Sequence, residues 1–403
     1  RFGVRLIRRS PVATILAVFC LACGIGLSTF MFSITWAVVG RGLPFEDQGR
    51  IIHVQRQNLI QLADPDTLIH VEEYQQILEQ QTSFEELAAM TNDGVTVGRP
   101  GLPHRMNGVY VSPSFFKVMP VSPALGRLIS EEDATETNGK VLMLSDRVWR
   151  EHFASDPEIV GSQVICEGQP FTVIGVMPRG YDFPFNQEVW IPLVPETLKS
   201  QTGWIDFVTL VGRLREDRSL RDARTEFSLI FDRIDQSQGV SELVHSEPHL
   251  EPLFNEFVGK EIRLLLWSMF AATFLVLLIA CSNVSSLLSA RMVVRSNELA
   301  IRSALGASRR RIVIQILTES LLYGLIGAAI GLLVAMRALS YLWDFVSNRR
   351  FHPPQFMEWT LDPVGILMAL GLMLMAVLVS GFLPAMRASR PNISGLLNDG
   401  QRT

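Results

Sequence analysis

Three stretches of this chain, residues 11–40, 264–290 and 363–386, contain no charged side chain, and a fourth, 312–336, contains only Glu319. Each exceeds the ~20 apolar residues that a helix rising about 1.5 Å per residue needs to cross ~30 Å of hydrocarbon. Four such runs divide the chain. A basic leader (1–10) precedes a first span (11–40), and a large polar segment (41–263) separates it from a second span (264–290). A basic connector (291–311), a third span (312–336), a short outer loop (337–362), a fourth span (363–386) and a tail (387–403) follow. Basic residues precede the first run, as they would in a secretory signal. The run is too long for a signal's apolar core and shows no small-residue cleavage site, so it is read as a retained helix.

Charge fixes the expected orientation. Residues 1–10 carry four arginines, the 291–311 connector carries six against Glu298 alone, and the tail carries three against Asp399. Residues 41–263 hold 34 acidic and 20 basic side chains. The excess of arginine marks both termini and the connector as cytoplasmic, and alternation then places 41–263 outside. Of four cysteines, Cys20, Cys23 and Cys281 lie in apolar runs. Cys166 alone in the outer segment has no intramolecular disulfide partner, so that domain must be stable through its own core. Cys20-x-x-Cys23 has a redox spacing, but within an apolar helix it reads as small packing residues.

Along the chain, residues 1–10 alternate arginine with Phe2, Val4, Leu6 and Ile7, a pattern for a short amphipathic helix on the inner leaflet. In the outer segment, 51–57, 188–193 and 207–215 read as strands. Residues 163–176 read as a hairpin turning at Glu167-Gly168, and 70–80 and 219–236 as amphipathic helices, the second capped by Ser219. Strands interspersed with helices, without regular βαβ spacing, imply an α+β domain in two lobes. The connector is helical by period, with Gly306 near its end. Pro353-Pro354 falls in the short outer loop.

Reactive constellations are scarce. The sequence contains no G-x-x-x-x-G-K-[ST] phosphate loop, no G-x-S-x-G and no H-E-x-x-H. His245 and His249 have the i,i+4 spacing of a metal pair, but Pro248 disrupts the helix that spacing needs and no third ligand is evident. That segment reads as an exposed loop. Neither an enzyme nor a nucleic-acid partner is expected.

Several strings carry a family resemblance. The longest is ACSNVSSLLSARMVVRSNELAIRSALGASRRRIVIQILTESLLYGLIGAAIGLL at 280–333. VYVSPSFFKVM, PALGR, LSDRVWREHF, FTVIGVMP and EVWIPL follow one another in the outer segment, and FLPAMRASRPNISGLLNDG closes the chain. Together they resemble the FtsX-like permease family in its MacB-type branch. The resemblance implies four transmembrane helices with a large α+β periplasmic core domain inserted between helices one and two. It also implies a location in the bacterial inner membrane. Within that family the chain is most similar to one half of a duplicated permease without an attached ATPase. Opening on Arg1 rather than Met, it is expected to lack a few natural N-terminal residues. Its end at Gln401-Arg402-Thr403 fits a junction between tandem copies.

What the resemblance implies about function is a permease subunit of an ABC system. A cytosolic ATPase in trans would bind ATP and press on the connector, with Glu298, Arg302, Gly306 and Ala307 on the coupling surface. Motion would then pass to the outer domain by mechanotransmission. Membrane lipid, a second permease unit (tandem copy or dimer) and a periplasmic adaptor are further partners. The chain itself would bind no cofactor. The alternative is a membrane-anchored signalling or scaffold protein regulating an extracytoplasmic partner such as a cell-wall hydrolase.

Two further features come from the residues themselves. Glu319, the ionisable group within a span, either moves ions or, as favoured here, hydrogen-bonds a neighbouring helix near the headgroup boundary. Gly327 and Gly331 form a G-x-x-x-G with Gly324 one turn earlier, permitting close approach of another helix of the same chain or of a second copy. Gly24 and Ser28 form a weaker version in the first span.

Overall fold

The computed structural model describes residues 11–58, 69–99, 101–194, 207–238, 246–294, 309–347 and 355–388. The amphipathic leader, the coupling residues Glu298, Arg302, Gly306 and Ala307, the Pro353-Pro354 turn, His245 and nearly all of the tail lie outside them. The membrane helices form one compact unit, and Gly42–Gly259 with the described part of 351–357 forms the other.

The first span is α1 (Pro11–Thr35), ending in a π turn at Trp36–Gly40. The mixed unit then runs β1 (Ile51–Asn58), β2 (Ile69–His70), α2 (Val71–Gln80), β3 (Phe84–Arg99) and β4 (Leu102–Val111). It continues through α3 (Phe115–Val118), β5 (Leu125–Gly126), β6 (Val141–Leu144), α4 (Asp146–Phe153), β7 (Gln163–Cys166) and β8 (Gln169–Val176). The last elements are β9 (Val189–Pro192), β10 (Phe207–Leu214), α5 (Leu220–Gln238), β11 (Ser246–Pro252) and α6 (Phe254–Phe257). Pairing follows the order β11-β1-β10-β3-β4-β9-β6-β8-β5, with β2 on β10 and β7 bridging β3 and β8. The β4–β9 and β6–β8 pairs are parallel and the others antiparallel. These strands form one continuous hydrogen-bonded network. The segment around His249 is likewise a strand, β11, and not a loop, because it finds the edge of β1 to pair with.

Both faces of the sheet are covered. Ile52, Leu87, Ala89, Leu142, Leu144 and Leu210 join one core, with Phe227, Ile230, Phe231 and Ile234 of α5. Their sequence neighbours Ile51, Ala88, Met143 and Val211 join a second core, with Phe115, Phe116 and Trp190. Successive strand side chains point to opposite faces, so a sheet buried on both sides needs near-continuous apolar runs, and these strands supply them. The turn at Glu167-Gly168 has φ of 48° and 77°, the left-handed pair that a two-residue hairpin requires. Ser219 caps α5 as expected. Its Oγ accepts from the Asp222 N–H at 3.2 Å while its own N–H donates to the Asp222 carboxylate at 3.0 Å. Arg56 of β1 donates to both oxygens of Glu73 on α2 at 3.1 Å and also meets Asp235 on α5, tying two helices to one strand.

Glu226, on α5, receives the N–H and O–H groups of both Thr82 and Ser83 at the entrance to β3. Burial alone would raise its pKa. The hydrogen bonds from Ser83 and Thr82 outweigh that and hold the carboxyl below its ordinary range.

In the helical unit, α7 (Lys260–Val294), α8 (Arg309–Ser347) and α9 (Pro363–Ala388) complete four helices long and apolar enough to cross a membrane. Several helix ends lie beyond the expected spans. Helix α7 continues through Arg291, so that residue belongs to the span and not to the connector. Helix α8 continues past 336 to Ser347, which shortens the outer loop, because Leu339, Leu342 and Val346 maintain a helical apolar period beyond the charged Arg337. Helix α1 lies against the other three. Ala17, Leu21 and Ile25 share a core with Leu277, Cys281, Val284 and Leu288 of α7, Tyr323 and Ala328 of α8, and Leu372, Met373 and Ala376 of α9. Cys20 and Cys23 are free thiols.

The small residues of α8 meet helices of the same chain. A Cβ on Gly331 would stand 2.7 Å from the Ala22 carbonyl oxygen and 2.9 Å from the Gly26 nitrogen. One on Gly327 would stand 2.9 Å from the Leu21 Cβ, and one on Gly324 would stand 2.5 Å from Val377 of α9. This small-residue face of the third span thus meets the first span at Gly327 and Gly331 and the fourth at Gly324. On α1, Gly24 faces Leu277 and Ala280, and Ser28 Oγ donates to the Thr273 carbonyl at 3.0 Å.

Two outcomes follow. Gly331→Leu should destabilise the helical unit by about 1–3 kcal/mol through forced separation of α1 and α8. Gly371→Ala, whose Cβ would meet nothing within 4 Å, should be tolerated. Thermal unfolding of both variants in detergent distinguishes them. Glu226→Gln should cost about 1 kcal/mol at neutral pH. A depressed folded pKa contributes stability that is complete above the ordinary value of 4.5 and is lost as pH falls through the folded value. The gap between wild type and the glutamine variant should therefore close below pH ~4.5 in a melting series.

Candidate functional site

The connector singled out by the sequence is flanked by α7 and α8, and what holds those helices together decides whether a force on it can reach the rest of the unit. Arg291 lies near the end of α7. Glu319 and Tyr323 are four residues apart on α8, so both project from one helix face. Thr14 sits in the first turn of α1. These four converge. Arg291 Nη1 donates to Glu319 Oε1 at 3.2 Å and to the Tyr323 hydroxyl at 2.7 Å, and its Nη2 donates to Thr14 Oγ1 at 2.9 Å. Tyr323 in turn donates to Glu319 Oε1 at 2.6 Å, and the Arg291 guanidinium stands 5.8 Å from the Tyr323 ring centre. The charged side chains are 16% and 14% exposed, and Tyr323 is fully buried.

Chemically this is a clasp. A charge among membrane helices is tolerated where an opposite charge and hydrogen-bonding partners meet it, and three helices each contribute a group here. Glu319 therefore bonds a neighbouring helix, the structural alternative for this residue. Its main partner is an arginine that sequence reasoning had assigned to the connector. Residues 291 and 319 lie on either side of the connector, so the clasp joins its two flanks directly.

A second polar contact closes the opposite end of α1. Arg41, just past the π turn, approaches Asp362 at 3.3 Å and donates to the Glu358 carbonyl at 3.0 Å and to Thr360 Oγ1 at 3.2 Å. Asp362 also accepts from the Gly365 N–H at 2.8 Å, capping the start of α9. Thr14 and Arg41 are 27 residues apart, or about 40 Å along a helix. The two polar contacts thus bracket a length somewhat greater than the ~30 Å hydrocarbon core. Nothing in the sequence pattern singled out Arg41, although its place at the junction of a charge-free run and an acidic domain was visible.

Comparison with known proteins assigns the two parts. A family profile described as a MacB-like periplasmic core domain matches residues 14–228, and one described as the FtsX-like permease C-terminal matches 270–393. The chain belongs to the MacB/FtsX-type permease family. The macrolide export ATP-binding/permease protein MacB of Rhodospirillum rubrum is 26% identical over 311 residues, covering 74% of this chain and 44% of that protein. Its namesake from Hahella chejuensis is 24% identical over 290 residues, covering 70% and 41%. The chain spans less than half the length of these curated relatives. The crystal structure of the periplasmic region of MacB from Actinobacillus actinomycetemcomitans aligns with 50% of this chain and 88% of its own length, at 14% identity and a TM-score of 0.39.

As a MacB/FtsX-type permease, the chain places its periplasmic core domain between the first two of its four spans. The clasp lies within the segment matched as the FtsX-like part, apart from Thr14 at the start of the other match. Arg291→Ala should destabilise the helical unit by about 1–3 kcal/mol, because it strands Glu319 among apolar helices. A paired Arg291→Met, Glu319→Leu replacement should recover much of that loss. Denaturation of the single and double variants in detergent tests the coupling, and equal losses would exclude it.

Proposed function

We propose that this permease works with a separate cytosolic ATPase, whose ATP-driven movement reaches the membrane helices through the basic connector. On this reading Glu298, Arg302, Gly306 and Ala307 form the coupling surface, and both termini share its side of the bacterial inner membrane. The observation that carries the reading is the clasp of Arg291, Glu319, Tyr323 and Thr14. Displacement of the connector would move α7, α8 and α1 together instead of bending one loop.

The rest of the helical unit supports transmission of motion over passage of cargo. The shared core of the four helices is apolar, from Leu21 and Ile25 to Leu372 and Met373. Both Nη groups of Arg291, the Glu319 carboxylate and the Tyr323 hydroxyl are engaged within the clasp. The work would then be done on the far side of the membrane by the periplasmic core domain, in export by mechanotransmission. A second permease unit and a periplasmic adaptor would complete the assembly. The relatives named for macrolide export combine an ATP-binding part with a permease part, which supports an ATPase as the missing component.

The test is co-purification from native membranes in mild detergent, with bound proteins identified by mass spectrometry. Wild type should retain an ATP-binding-cassette ATPase. Glu298→Ala with Arg302→Ala should reduce its recovery about tenfold or more while leaving the thermal midpoint unchanged. Absence of any such ATPase from the wild-type sample, or equal recovery with the double variant, would overturn the reading.

A further inference from the structure

A cavity of about 110 Å³ lies within the mixed unit, among β1, β2, β3, β10 and the α6 turn. Its polar lining is His53, Gln55, Asn92, Thr209 and Glu256, and its apolar lining includes Phe185 and Phe257. His53 is 3% exposed, and its Nδ1 lies 3.1 Å from Glu256 Oε2. In the neutral imidazole, an Nδ1–H donating to that carboxylate leaves Nε2 as an acceptor. That Nε2 is buried and has no partner among the described residues. A buried acceptor without a donor is costly, and such groups mark places where something else supplies the hydrogen.

Glu256 adds charge to the same place. The hydrogen bond from His53 lowers its carboxyl most, burial opposes that, and the neighbouring imidazoles of His53 and His249 lower it further, so it is ionised at neutral pH. The described lining contains no lysine or arginine; the groups that meet the carboxylate are His53 and the Gln55 amide, whose Nε2 donates to Oε2 at 3.5 Å, with His249 nearby. The rings of Phe185 and Phe257 stand 5.0 Å apart and tilted by 43°, with Phe185 42% exposed. Aromatic faces, a carboxylate and an unused imidazole acceptor together favour a positively charged group with N–H donors on a small apolar body. A metal ion fits less well. Among the described residues no three His, Cys, Asp or Glu side chains converge, and a hard cation wants six or more oxygens. The volume is smaller than the ~150 Å³ cavity known to admit benzene, which limits the body to a few carbons.

We propose that this cavity binds a small organic ammonium group, free or as the end of a larger molecule, between Glu256, His53 and the Phe185–Phe257 pair. The proposal concerns recognition by the mixed unit and stands apart from any coupling to an ATPase. Isobutylammonium and isobutanol are suitable probes, being close in size and differing in charge. Titration calorimetry on the full chain in an uncharged detergent should show saturable binding of the ammonium at least about tenfold tighter than of the alcohol. Tetramethylammonium, which lacks N–H donors, should bind more weakly than isobutylammonium. Glu256→Gln should bring the ammonium to the level of the alcohol. Phe185→Ala, which removes an exposed wall and leaves the core intact, should weaken binding several-fold with an unchanged thermal midpoint, and it serves as the test if Glu256→Gln fails to fold. Equal affinity for ammonium and alcohol, ammonium binding untouched by either substitution, or no saturable binding at all (a cavity holding water only) would overturn the proposal.

Discussion

An arginine among membrane helices is stable only if its charge is met by an opposite charge and hydrogen-bonding partners, and Arg291 of α7 finds these on two other helices, α8 and α1. The requirement runs in both directions. Glu319 on α8 would be equally costly without a cation, and Tyr323 needs an acceptor for a hydroxyl on a fully buried side chain. Because each member of the group answers another's need, none can shift far alone. The polar contacts also sit where the apolar packing is weakest in specificity. Hydrocarbon chains solvate leucine as well as another leucine does, so apolar area alone does not fix how α1, α7 and α8 register against one another.

Close approach supplies what the polar groups do not. The backbones of α1 and α8 meet at Ala22, Gly26 and Gly331, where a side chain on either glycine would collide with a carbonyl or an amide. Dispersion contacts fall off steeply with distance, so glycine here converts proximity into attraction along the length of the crossing. Polar anchoring at both ends of α1 and backbone contact along its middle restrict different motions. The first limits sliding along the helix axis, and the second limits separation.

Much of this was visible in the sequence, for reasons that can be named. The four spans were legible because the need for ~20 apolar residues is a blunt physical threshold. The hairpin at Glu167-Gly168 was legible because its left-handed turn restricts residue choice. The long β3–β4 hairpin was not recognised. Its first strand reads FEELAAMTNDGVTVGR, opening with good helix formers and containing Asn, Asp and Gly, so local preference argues against the strand that tertiary pairing imposes. Glu319 was noticed because a charge in an apolar run is conspicuous. Arg291 escaped because it adjoins a segment full of arginines, where charge already had an explanation. The glycine face was seen, and Gly24 and Ser28 were seen as a weaker version in the first span, with no partner assigned to either. Gly26, two residues from each and so on nearly the opposite face of the helix, meets α8 with Leu21 and Ala22, and a repeat of small residues does not say which side of the helix is used.

The way the chain enters and leaves the mixed unit bears on what that unit can do in the proposed mechanism. The connection from the first span runs into β1, and the connection to the second span leaves from β11 and α6. These strands are antiparallel partners, from Ile52 opposite Pro252 to Asn58 opposite Ser246, and the Leu253 N–H closes the ladder onto the Ile51 carbonyl at 2.8 Å. His53 and Glu256 cross-link the same two connections. A pull along adjacent antiparallel strands loads several hydrogen bonds at once, whereas peeling breaks them one by one. Movement arriving through either membrane connection would therefore be shared by both before it spreads into β10 and the rest of the sheet. A domain attached through distant strands would instead be twisted by unequal motion of its two tethers. On the proposed mechanism, placing both tethers on one ladder would let the sheet take up their movement together.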